Sequence, residues 1–113
     1  MNKAAQGGHL STLVLLHRQG YSCTVKAMDW AAAFGQLDVV EWLSEHRQEG
    51  CTTDAMDHAA ANGHLSVVIW LHENRTEGCT RYALAEAAAN GHLKMVIWLH
   101  RHRDEGGGRR AMV

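Results

Sequence analysis

The chain has 113 residues, 12 acidic and 11 basic side chains, a formal charge of -1 and 46% hydrophobic residues. That length suits one domain with a real core, and the near-neutral balance offers no broad field for a polyanion or a membrane surface. Proline is absent, where average usage would supply about five or six; with 16 alanines, this composition predicts an all-α protein.

In chain order, Ala4-Ala5-Gln6-Gly7-Gly8-His9-Leu10 and the apolar run Leu13–Leu16 predict a partial helix pair over 1–22. From Cys23 the chain repeats every 28 residues: Cys23, Cys51 and Cys79 share one register, Gly35, Gly63 and Gly91 another, Trp42, Trp70 and Trp98 a third. Units 23–50 and 51–78 share 18 of 28 positions, and units 51–78 and 79–106 share 18 again. The segment Glu105-Gly106-Gly107-Gly108-Arg109-Arg110-Ala111-Met112 echoes Glu77-Gly78-Cys79-Thr80-Arg81-Tyr82-Ala83-Leu84, so a further repeat is expected to start over 107–113.

Each unit predicts two helices. The first, about Thr53 to Ala61, carries Ala55, Met56, Ala59 and Ala60 on one stripe, with Asp54, Asp57, His58 and Ala61 expected opposite. Thr24, Thr52 and Thr80 are the expected N-caps, and Asn62-Gly63 and Asn90-Gly91 the stops. The second helix, about Leu65 to Arg75, turns Leu65, Val67, Val68 and Leu71 inward and is expected to end at Gly78, as its counterpart ends at Gly50. A short hairpin cannot cover its own apolar stripe, whereas stacked copies can. Slim alanine helices beside bulkier Leu/Val/Trp helices make wedges, so the stack should curve with the alanine helices inside.

These residues resemble ankyrin repeats: Ala60-Ala61-Asn62-Gly63-His64-Leu65-Ser66-Val67-Val68 and Ala88-Ala89-Asn90-Gly91-His92-Leu93-Lys94-Met95-Val96 are similar to that family's A-A-x-x-G-H-L-x-V-V core. The family's unit is longer, with a T-P-L-H-x-A opening; here it is Asp54-Ala55-Met56-Asp57-His58-Ala59. The resemblance therefore implies a helical-hairpin solenoid with ankyrin-like repeats whose β-hairpin fingers are reduced or absent, and it moves partner contacts onto the helices. It also implies a structural hydrogen-bonding role for His9, His64 and His92 in the Gly-His step.

No catalytic apparatus, cofactor or metal is expected. There is no P-loop, dinucleotide glycine fingerprint or nucleophile elbow, no C-x-x-C pair and no H-E-x-x-H. The cysteines should be reduced and buried, because stacked helices lie about 8–10 Å apart and a disulfide needs Cα atoms within about 7 Å. The tryptophans should wedge between second helices rather than form a base-stacking platform, so neither nucleic acid nor a membrane is expected as partner. With no export signal apparent, an intracellular, cytoplasmic setting is expected.

What varies between repeats is the outer face of the first helix: Lys26, Asp54 and Tyr82 in one register, Trp30, His58 and Glu86 in the next, Phe34, Asn62 and Asn90 in the third. Aromatics are the residues that anchor interfaces. The expected function is a non-catalytic module binding a protein partner through Lys26, Trp30, Phe34, Asp54, His58, Tyr82 and Glu86 on a concave face, as part of a longer repeat array. The alternative is a structural spacer with no dedicated partner.

Overall fold

The computed structural model describes residues 2–102. The expected start of a further repeat over 107–113, with Arg109 and Arg110, lies outside the described residues. Eight helices run in chain order among the described residues: α1 (Asn2–Gln6), α2 (Leu10–Arg18), α3 (Val25–Ala33), α4 (Leu37–His46), α5 (Thr53–Ala61), α6 (Leu65–Asn74), α7 (Arg81–Ala89) and α8 (Leu93–His102). They contain no strand, and none is long and apolar enough to cross a membrane.

Each first helix after α1 starts on a threonine. The hydroxyls of Thr24, Thr52 and Thr80 accept from the amides of Lys26, Asp54 and Tyr82, satisfying one free donor of each first turn. The stop is glycine because the chain there turns left-handed: φ is +75° at Gly35, +78° at Gly63 and +77° at Gly91. At Gly35 and Gly63 a second reason applies. A Cβ on Gly35 would stand 2.6 Å from Nδ1 of His64, and one on Gly63 would stand 2.8 Å from the ring of His92. The histidines of the Gly-His step thus pack their rings on the preceding repeat's glycine. His9 and His64 sit at the N-caps of α2 and α6 without making a side-chain capping bond.

The second helices end within a residue of the expected Arg75, but short of the glycines expected to stop them. α4 and α6 stop at His46 and Asn74, and Arg47 and Arg75 are already extended. Gly50 and Gly78 come later, in the loop. An arginine two residues before a glutamate closes that loop: Arg47 meets Glu49 at 2.7 Å and Arg75 meets Glu77 at 2.7 Å. These compact turns stand where fingers would otherwise project.

The core is a row of small side chains between first helices, Ala27, Ala31, Ala32, Ala55, Ala59 and Ala60, with Met28 and Met56 filling beside them. Such slim surfaces let α3 lie closely against α1 and α5, and α5 against α7, while α4 and α6 meet only sparsely. Trp42, Trp70 and Trp98 are half-buried against that core. Trp42 receives the edge of His17 from the preceding helix pair, centroids 5.1 Å apart, and Trp98 receives His72 at 5.1 Å. That is the expected wedge, with histidine as its partner on the neighbouring repeat. No disulfide joins Cys23, Cys51 and Cys79, and all three are buried. Burial pushes the Cys51 thiol up to about 12.

Two residues expected on the outer face are inside. Ala61 is buried, and Asp57 is only 4% exposed. The reason lies in the next repeat. Asp57 accepts hydrogen bonds from the amide of Thr80 (2.8 Å) and from its hydroxyl (2.7 Å). Asp29 makes the same pair of bonds to Thr52, both 2.8 Å. Each carboxylate therefore ties one repeat to the N-cap of the next. In both, the carboxyl is held above its ordinary value, first by desolvation, against which the threonine bonds pull down. Asn2 fills this role at the first junction, accepting from the Thr24 amide at 3.2 Å and donating to its hydroxyl at 3.0 Å. A single-helix wheel cannot show this, because the partner lies on another helix.

Candidate functional site

The outer face of the first helices holds the expected strip. Lys26, Trp30 and Phe34 stand one turn apart on α3 and its C-cap; Asp54 and His58 lie on α5; Tyr82 and Glu86 lie on α7. Lys26, Asp54 and Tyr82 are exposed, whereas His58 and Glu86 are half-buried. Phe34 is 53% exposed, Tyr82 45% and Trp30 36%. Trp30 is thus largely covered by its own surroundings, more so than a free anchor would be.

The strip is internally connected at two places. Lys26 places Nζ 5.7 Å from the centroid of the Trp30 ring, one helical turn away. His58 meets Tyr82 edge to face, centroids 5.9 Å apart, so neighbouring repeats share one aromatic contact. No hydrogen bond or ring contact joins Trp30 or Phe34 to His58, Tyr82 or Glu86, which leaves two patches along one line rather than a convergent pocket.

Phe34 has a structural explanation for what it lacks. In the same register Asn62 donates Nδ2 to the carbonyl of Ala33 at 2.7 Å, and Asn90 donates to Ala61 at 2.8 Å. These side chains bind the preceding helix end. Phenylalanine cannot donate, and Gln36 takes over with a longer bond of 3.4 Å to the Gln6 carbonyl. Phe34 makes no such tie, and its ring stands exposed.

The register of the clamps adds a residue that sequence reasoning left out. Asn2 occupies the place of Asp29 and Asp57, so Lys3 occupies the place of Trp30 and His58 one repeat earlier; it is exposed. The irregular spacing of the first pair hid this, since the repeat there is one residue shorter. A second apolar surface also went unread. Leu93 (69%) and Ile97 are exposed on α8. With Leu65, Lys94, Trp98 and Arg101, Ile97 lines an open groove of about 210 Å³. Among the described residues no group of three or more His, Cys, Asp or Glu side chains is placed to hold a metal ion.

No curated protein matches the chain. The family model for ankyrin repeats (many copies) matches residues 28–72, which run from α3 through α6. The helix pair of that segment recurs in α7 and α8 beyond it, tied to α5 through Thr80 and Asp57. Ankyrin repeats are generally protein-interaction modules without enzymatic activity, and residues 28–72 of this chain are similar to them.

Proposed function

We propose that the chain is a non-catalytic module that binds a protein partner across the first-helix strip, with Trp30, Phe34 and Tyr82 as anchors. His58 would support Tyr82, and Lys26, Asp54 and Glu86 would tune selectivity. The observation that carries this reading is Phe34: asparagine in that register ties the preceding helix end in the later repeats, yet position 34 presents an exposed aromatic beside Trp30. Exposed aromatics that packing does not require are typical of interfaces. The close approach of first helices and the sparse contact between second helices support placing the strip on the inner side of a curved stack.

The test is affinity capture with the fragment beside a variant carrying Trp30→Ala, Phe34→Ala and Tyr82→Ala. A partner retained by the first and lost by the second supports the reading, provided circular dichroism finds both equally helical. A spacer role predicts no partner for either.

A further inference from the structure

The charges on the strip are sorted along the array. Lys3 stands on α1 in the Trp30 register and Lys26 one turn before Trp30 on α3, with Nζ 5.7 Å from its ring, while Asp54 and Glu86 stand on α5 and α7. Among the described residues none of these four forms an ion pair; the carboxylates engaged are Glu49 and Glu77, in the loops. The strip is thus basic at one end and acidic at the other, with aromatic side chains at both. Sequence reading along one helix conceals this, because each helix contributes only one or two of the charges.

Resting on the binding role proposed above, we infer that the partner is a peptide segment of matching polarity. It carries an aliphatic or aromatic side chain next to carboxylates, seated on Trp30 and Phe34 at the end that bears Lys3 and Lys26, and a basic residue further along that reaches Asp54 and Glu86. The dimensions set the spacing. Successive first helices lie about 8–10 Å apart, so the centres of the basic and acidic ends are about 20 Å apart, two repeats. An extended chain covers that in about six residues at 3.3 Å each. Reversing the charges of such a segment puts carboxylate against carboxylate and ammonium against lysine, which is costly at a partly desolvated strip. The Lys26 ammonium over the Trp30 ring places a cation directly beside the apolar seat. An acidic residue adjoining the anchor therefore meets its counter-charge without rearrangement.

The probe is a random dodecapeptide library displayed on phage, selected on the whole chain and in parallel on two variants. One carries Trp30→Ala and Phe34→Ala; the other carries Lys3→Glu and Lys26→Glu. The expected result is enrichment, on the unmodified chain, of peptides with an acidic–apolar cluster about six residues from a lysine or arginine. Those peptides, made synthetically, should bind the double glutamate variant about tenfold or more weaker and lose binding to the double alanine variant. Enriched peptides that depend on Trp30 and Phe34 but show no charge order, or that bind the glutamate variant equally well, overturn this inference and leave the binding role standing. Enrichment that survives the alanine substitutions, or no enrichment at all, overturns both.

Discussion

Replacing Asp57 tests how the repeats are joined. Its carboxylate is buried and accepts two short hydrogen bonds from Thr80, at 2.8 and 2.7 Å, whose hydroxyl in turn caps α7 through Tyr82. Hydrogen bonds to a charged group are worth about 1.5–3 kcal/mol each, and desolvation of the carboxylate, the main cause of its raised pKa, offsets part of that. Thr80 itself is exposed, so water can reach the amide that Asp57→Ala would abandon. The net expectation for Asp57→Ala is about 2–3 kcal/mol of lost stability. Asp57→Asn should behave differently. Asn2 already shows the geometry an amide adopts here, accepting from the Thr24 amide and donating to the Thr24 hydroxyl. It retains both contacts and removes the desolvated charge, so its cost should stay below about 1 kcal/mol. Urea denaturation followed by circular dichroism gives both values. Hydrogen exchange should localise the alanine defect to α7 and α8, because a stacked array loses stability junction by junction. Equal losses for the two variants would refute the reasoning, as would an alanine loss under about 0.5 kcal/mol.

Because desolvation holds the Asp29 and Asp57 carboxyls above their ordinary value of 3.8, the fold keeps their protons more tightly than the unfolded chain does. Their contribution is full below that value and disappears as pH rises through the folded one, so the stability difference between the wild type and Asp29→Asn/Asp57→Asn should grow in the wild type's favour as pH falls from neutral towards about 4; a shrinking difference in denaturation series would contradict this. Gly63→Ala forces a left-handed alanine (φ +78°) into the ring of His92 and should cost about 2 kcal/mol or more, read as a lowered melting temperature. Phe34→Asn should hold or raise stability by restoring the donor that Asn62 and Asn90 supply, while weakening partner capture; thermal melts and pull-down separate the two effects. With the Cys51 thiol pushed up to about 12, an aromatic disulfide reagent should modify it in the native protein on the order of a hundredfold slower than in urea.

Much of this protein was legible in a single sequence because repetition compares the chain with itself. Period, threonine caps, glycine stops and the absence of proline are local properties, each acting within one helix or turn, and they specify helix pairs with bounds within a residue or two of those observed for α5 and α6. The apolar wheel placed Met56 and Ala59 inside for the same reason. It failed for Asp57 and Ala61, because burial there is created by the following repeat, and a polar side chain 23 residues before its threonine partner looks solvent-facing on its own helix. The candidate strip divides in the same way. Which residues vary was written in the sequence; that Lys3 joins them, that Trp30 is mostly covered and that charge is sorted from α1 to α7 came from stacking. Helices are settled by hydrogen bonds and propensities within a few residues of each other, whereas a surface shared by four helices exists only after they have packed.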